Sequence, residues 1–234
     1  MKVIILCGGI GSRLAEETKL IPKPMVKIGK VPIVKHIINY FKSYGFNDFI
    51  LATGYKCKII EKYFKYEKSV KCIFTGKNTL TGGRVLRLKK YFKKNEDFLL
   101  TYGDGLTNQN LKRLIKFHKK HKKIATLTAV IPPSRFGVLK IIGNSVGSFM
   151  EKPQLKNNWI NGGYFVFNSK IFDFIAGDQT MLEREPFWKL TKKKQLMAFK
   201  HFGFWQCMDT MRDKKVLDKL ILTQKAPWIK IKKD

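Results

Sequence analysis

The sequence predicts an α/β fold around a mixed sheet, and three observations carry that expectation. A continuous β-branched and apolar run, Val3 to Cys7, has the character of a strand buried on both faces. Strand-like and helix-like stretches then alternate as far as Tyr102, the pattern of parallel strands joined by helices. From Ala125 onward strands follow one another across short turns, which brings in antiparallel pairing.

After the first strand and a glycine loop, residues 32–44 set Ile33, Ile37, Tyr40 and Phe41 at helical spacing, and Gly45 stops that helix. A strand over 49–53, a helix near 58–66, a strand over 71–75, a helix over 84–92 and a strand over 98–102 continue the alternation. Asn108 is placed to cap a helix that runs to about residue 120, on which Leu111, Leu114, Ile115 and His118 form one stripe. His118 is expected at the surface of that helix. Strands are expected over 127–131, 138–142, 146–150 and 164–168, with Gly143-Asn144 as one of the turns. An amphipathic helix over 209–222 closes the pattern. No repeat or low-complexity linker divides it, and 234 residues suit one core better than two, so a single domain over 1–234 is expected.

The abnormal bulk property is charge: 47 basic against 17 acidic residues, a formal +30. Only seven of the basic residues are Arg, and the Lys are scattered through nearly every surface segment, which is compositional bias rather than a binding face. Without an RNP-like, helix-turn-helix or zinc-finger pattern, no nucleic-acid partner is expected. The apolar runs fall far short of the roughly 18 residues that span a bilayer, and the first residues lack a secretory h-region, so no membrane partner and a cytoplasmic location are expected. Cys7, Cys57, Cys72 and Cys207 lie far apart and show no zinc or disulfide spacing.

The first strand runs straight into Gly8-Gly9-Ile10-Gly11-Ser12-Arg13. Such a loop delivers backbone N–H groups and a guanidinium to the carboxyl edge of a sheet, where doubly wound folds bind ligands. It equally describes a tight turn that binds nothing. A P-loop is excluded because no Gly-Lys-Ser/Thr ends it, and a dinucleotide fingerprint because Leu14 stands where its third glycine belongs. Ten residues after Arg13, Pro22-Lys23-Pro24-Met25 holds one lysine between two prolines that restrict its backbone, an arrangement that suits a phosphoryl oxygen. Asp104, between Gly103 and Gly105 at a strand end, either meets a ligand or makes an Asp-Gly turn. Asp209 either meets a ligand or caps the last helix. Glu151-Lys152-Pro153 by itself reads as a surface turn. No nucleophile elbow or phosphate-proximal His supports covalent catalysis.

Taken together, Leu6-Cys7-Gly8-Gly9-Ile10-Gly11-Ser12-Arg13 and Pro22-Lys23-Pro24-Met25 resemble the signature of sugar nucleotidylyltransferases. Thr79-Leu80-Thr81-Gly82-Gly83-Arg84, Thr101-Tyr102-Gly103-Asp104-Gly105, Trp159-Ile160-Asn161-Gly162-Gly163, Gly203-Phe204-Trp205-Gln206 and Met208-Asp209-Thr210 narrow the resemblance to the glucose-1-phosphate cytidylyltransferases, nearly end to end. The resemblance implies a Rossmann-like three-layer α/β/α fold with a mixed sheet, of the nucleotide-diphospho-sugar transferase type. Residues 1–130 would be its nucleotide-binding half and 131–234 its sugar-phosphate-binding half.

The reaction it implies is attack by a sugar-1-phosphate oxygen on the α-phosphorus of a nucleoside triphosphate, with pyrophosphate leaving. Arg13, Lys23 and Asp104 are the implied catalytic residues. Leu6, Gly8, Gly9, Gly11, Ser12, Arg13, Lys23, Thr79, Arg84 and Gly103 would surround the nucleotide, and Glu151, Lys152, Asn161 and Gly162 the sugar phosphate. Asp104 and Asp209 would hold Mg²⁺. CTP and glucose 1-phosphate are the implied substrates, in CDP-sugar and surface-polysaccharide biosynthesis, although no residue by itself selects CTP over UTP or dTTP. Rival expectations are another sugar 1-phosphate, a catalytically silent nucleotide-sugar binder, and a basic nucleic-acid binder. One departure stands out: the family usually carries a considerably longer stretch between Phe64 and Thr75, so a homo-oligomer is expected only as a possibility.

Overall fold

The computed structural model describes residues 1–132, 136–151 and 158–229. Strand β1 (Val3–Cys7) is buried along its whole length. Val3, Ile5 and Cys7 enter one apolar layer and Ile4 and Leu6 the other, so neither face of the strand meets water and no polar residue alternates along it. A 3₁₀ turn over Ser12–Leu14 and the short helix α1 (Ala15–Thr18) follow. A small ladder of β2 (Lys27–Ile28) and β3 (Val31–Pro32) then leads into α2 (Ile33–Lys42), which lays Ile33, Ile37 and Phe41 on the first layer. The strands β4 (Phe49–Thr53) and β5 (Val70–Phe74) are joined by α3 (Cys57–Phe64).

Helix α4 (Thr81–Leu86) precedes β6 (Asp97–Tyr102), β7 (Gly105–Thr107) and α5 (Leu111–His121). The remainder comprises β8 (Ala125–Val130), the hairpin of β9 (Val138–Ile142) and β10 (Ser145–Met150), and β11 (Ile160–Asn168). Helix α6 (Glu185–Lys192), β12 (Leu196–His201), β13 (Trp205–Cys207) and α7 (Met211–Leu222) complete it.

Seven strands form one sheet in the order β12-β8-β11-β6-β1-β4-β5. Within it β11 alone is antiparallel to its neighbours, β6 and β8; the other pairings are parallel. Apolar layers cover both faces, one built on α2, α5 and Trp228, the other on Val85, Phe172, Phe187 and Leu190, which gives the expected three-layer α/β/α arrangement. From β1 the chain moves outward to β4 and β5 and then returns to β6 on the opposite side of β1. The carboxyl ends of β1 and β6 therefore border a crevice from which the connections diverge, the place where open α/β sheets bind ligands.

Several local expectations are corrected. His118 is not a surface histidine: it is 2% exposed, with Nδ1 2.8 Å from Thr126 Oγ1, because it continues the stripe by which α5 packs on β8. Asn110, not Asn108, caps α5, its side chain accepting from the Arg113 N–H at 3.0 Å. Helix α4 begins three residues before Arg84 and takes in Gly82 and Gly83, where helix propensity is poor. Tertiary contact overrides that preference, since a Cβ on Gly83 would stand 2.4 Å from the Asp178 carbonyl oxygen. Strand β11 starts four residues before Tyr164, and its register shifts between Asn161 and Phe165, where Gly162 and Gly163 form a bulge. Helix α6 and strands β12 and β13 had no sequence expectation; β12 is a partly exposed edge strand and α6 a helix of only eight residues.

Asp209 does not cap the last helix. Thr210 does, accepting from the Asp213 N–H, while the Asp213 carboxylate accepts from the Thr210 N–H at 2.9 Å in a reciprocal capping box. Thr210→Ala is expected to lower the unfolding free energy by about 1 kcal/mol in a denaturant titration. An unchanged midpoint would mean the box contributes nothing.

Candidate active site

The glycine loop leaves β1 at the crevice with each glycine under a different constraint. Gly11 has φ 72 and lies against the Lys23 stem, so a Cβ there would be both strained and 2.9 Å from Lys23 Cβ. At Gly8 a Cβ would collide with the Arg84 guanidinium, whereas Gly9 faces open space and nothing in the protein itself demands a glycine there. Arg84 is 4% exposed, and its Nη atoms donate to the carbonyls of Gly8, Thr53, Gly76 and Lys77 and to Thr75 Oγ1. It braces the loop from beneath. A guanidinium removed from water must satisfy its donors within the protein, and Arg84 does so while still bordering the cavity where it was expected beside the nucleotide.

Lys23 stands in a 3₁₀ turn over Lys23–Met25, closed by Met25 N–H donating to Pro22 O at 2.7 Å. Its ammonium donates to Asp104 Oδ2 at 2.5 Å and to Asp209 Oδ1 at 2.7 Å, and Arg13 Nη1 donates to Asp209 Oδ2 at 2.8 Å. Partial burial works against the Lys23 charge, but Asp104 and Asp209 outweigh it and hold the ammonium above its usual pKa. Asp209 likewise loses hydration, yet Lys23 and Arg13 hold its carboxyl below the usual value.

A backbone ladder explains how two aspartates so far apart in sequence meet. β7 pairs antiparallel with β13, Gly105 opposite Cys207, and the Met208 N–H then donates to Asp104 O at 2.8 Å. Asp104 at the end of β6 and Asp209 just beyond β13 are thereby set on one spot. Two carboxylates converging on a single cation suit a divalent metal that completes its shell with phosphate oxygens and water. No third His, Cys, Asp or Glu joins them to form a cage among the described residues. Cys7 is fully buried beside the loop, and burial pushes its thiol well up, so it packs as a small core residue.

Two cavities adjoin at this point. One of about 470 Å³ lies against the loop and is bordered by every residue expected around the nucleotide except Ser12, together with Leu80, Thr81, Met181 and Glu183. The other, of about 480 Å³, is bordered by Asn161, Ile160, Trp205 and Gln206. Arg13, Tyr102 and Asp104 border both. The bulge in β11 aims Asn161 here, and Trp205 Nε1 donates to Gly162 O at 2.7 Å, fixing the strand beside it. Glu151, at the exposed end of β10 next to Gly137, does not border this cavity, and Lys152 lies outside the described residues.

Tyr102, Trp205 and Glu183 were not singled out from the sequence. The first two lie inside recognisable motifs, Tyr102 next to Gly103 and Trp205 in the Gly203 to Gln206 run. Glu183 had no local signal beyond being one of 17 acidic residues.

A glycine loop and two carboxylates at the switch point of a mixed α/β sheet define an enzyme that handles nucleoside phosphates. The nucleotidyl transferase family matches residues 2–206, and the chain belongs to it. It is 45% identical to the glucose-1-phosphate cytidylyltransferase of Salmonella typhimurium, over 97% of this chain and 98% of that protein. It is 34% identical to the mannose-1-phosphate guanyltransferase of Saccharomyces cerevisiae, over 95% of this chain and 64% of that protein. Among solved structures, HddC from Yersinia pseudotuberculosis superposes with a TM-score of 0.75 at 24% identity, covering 94% of this chain and 99% of that one. UDP-glucose pyrophosphorylase complexed with UDP-glucose does so with 0.73 at 16% identity, covering 95% and 98%. These two likenesses show the fold. The Salmonella alignment is 253 positions long against 234 residues here, in keeping with a stretch that this chain lacks.

Proposed function

We propose that the protein transfers a cytidylyl group from CTP to α-D-glucose 1-phosphate, giving CDP-glucose and pyrophosphate. The observation that carries this reading is the meeting of Asp104, Asp209, Lys23 and Arg13 where the two cavities join. One cavity then takes the nucleotide and the other the sugar phosphate, so the α-phosphorus comes to lie at their junction. The likeness to the Salmonella enzyme over nearly the whole chain supports the choice of base and sugar.

In this reading the backbone N–H groups of Gly8 to Gly11 and the Arg13 guanidinium hold the triphosphate, while Arg84 keeps the loop in shape. Lys23 offsets charge on the phosphate that is attacked; its prolines stiffen the backbone it stands on, and Asp104 and Asp209 hold its ammonium. Asp104 and Asp209 would hold Mg²⁺, which when bound supplies charge neutralisation to the phosphate oxygens. Asn161 and the backbone at Gly162 address the sugar. The reaction is a direct displacement and draws on no protein nucleophile.

The testing experiment is pyrophosphate release with Mg²⁺ and glucose 1-phosphate across CTP, UTP, dTTP and GTP. CTP is expected to give a kcat/KM at least about tenfold above the others, the size of discrimination one well-placed hydrogen bond supplies. No turnover with CTP would overturn the choice of base. The reading extends to a homo-oligomer in which a second copy covers the exposed Ile141, Ile142 and Phe149 of hairpin β9–β10. A monomeric mass by light scattering would remove that extension.

A further inference from the structure

Glu183 comes from the segment between β11 and α6, outside every motif of the sequence, yet its side chain reaches the crevice. Thr81 Oγ1, at the start of α4, donates to Glu183 Oε2 at 2.7 Å, and the Tyr102 hydroxyl donates to Oε1. That hydroxyl in turn accepts from Asn161 Nδ2 at 3.3 Å, and Asn161 Oδ1 accepts from the Gly163 N–H at 2.9 Å. Thr81 belongs to the wall of the nucleotide cavity, Asn161 to the wall of the other, and Tyr102 to both. One carboxylate thus ties a side chain from each cavity to the partition between them.

The direction of these bonds matters. Thr81 and Tyr102 each present an O–H, one to each oxygen of Glu183, so their common partner must accept at both of its head atoms, which an ionised carboxylate does and a carboxamide, with one oxygen and one NH₂, cannot. Burial and the neighbouring Glu183 charge push the Tyr102 hydroxyl up, so it stays a donor at any pH the protein meets. With its hydrogen committed to Glu183, the Tyr102 oxygen offers only lone pairs to Asn161. The carboxamide is therefore held with its NH₂ toward Tyr102 and its oxygen toward Gly163. The Asn161 amide would otherwise be able to turn over, exchanging donor for acceptor on the face it presents to a ligand.

We propose that Glu183 is a positioning residue for the sugar-phosphate subsite. It acts through Tyr102 to orient the Asn161 carboxamide, and through Thr81 it keeps the nucleotide cavity in register with that subsite. The inference rests on the sugar-nucleotide reading of the two cavities.

The test compares Glu183→Gln, Tyr102→Phe and the double variant in steady-state kinetics, with CDP-glucose binding by calorimetry alongside. Each single variant is expected to raise the KM for glucose 1-phosphate roughly tenfold while kcat stays near wild type. Both should weaken CDP-glucose binding by a similar factor. The double variant should be no worse than the more affected single one, because both remove the same chain of bonds. A KM unchanged in either variant, a loss confined to kcat, or effects that multiply in the double variant would overturn the proposal. Should Glu183→Gln not fold, Tyr102→Phe decides alone, since it removes one hydroxyl and leaves the ring in place. If the wild-type protein turns over a different triphosphate and sugar phosphate, the choice of substrates fails while the variants are still compared on the pair it uses.

Discussion

Exchanging Asp104 for Asn is expected to cut turnover by about three orders of magnitude or more and to leave thermal unfolding near wild type. The substitution keeps the shape of the side chain and removes its charge. Asp104 is partly exposed at the end of β6 and belongs to neither apolar layer, so packing loses nothing. What is lost is one of the two carboxylates that converge on the Lys23 ammonium where the cavities join. Lys23 keeps its second partner, Asp209, and so stays in place. Pyrophosphate release across a Mg²⁺ titration, with a circular-dichroism melt of the same sample, checks both halves of the expectation. Activity near wild type at saturating Mg²⁺ would place the metal elsewhere.

Arg84→Met should act in the opposite manner, on the fold first. Five hydrogen bonds from a buried guanidinium bind Gly8, Thr53, Thr75, Gly76 and Lys77 into one unit. Methionine fills part of the volume and satisfies none of these acceptors. A loss on the order of 3–5 kcal/mol is expected, the range for breaking a buried, fully bonded charge. That corresponds to a Tm lower by roughly 10 °C for a chain of this size. Nucleotide binding should weaken as well, because the glycine loop loses its brace. Arg84→Lys should recover little, since an ammonium carries three donors at one point and cannot reach both sides of the loop. An unchanged Tm in Arg84→Met would show that the loop holds its shape without it.

The parts of the fold that were legible in advance are those whose residues have no choice of environment. A strand such as Val3–Cys7, apolar at every position, can only lie inside a sheet, and α2 with its sharp amphipathic stripe and Gly45 stop can only cover one. The half-exposed edge strand β12 carries too weak a pattern to be read, and α6, though amphipathic, spans only eight residues. His118 is the opposite case: it is polar, yet its position on the stripe of α5 and not its polarity decides its burial.

For the site, Gly8 to Arg13, Lys23, Asp104 and Asp209 stood out from sequence because each sits at a strand end, between prolines or at a helix start, and those local settings already restrict what the side chain can do. Local settings do not say which of them meet. Asp104 and Asp209 converge through the β7–β13 ladder, Arg84 braces the glycine loop as well as bordering the cavity, and Glu183 enters through a segment with no motif at all. Patterning and backbone stiffness act between near neighbours along the chain and are written in the order of residues. Convergence of distant side chains depends on register, crossover and burial together, and appears only once the sheet has assembled around the crevice beside Gly8 and Asp104.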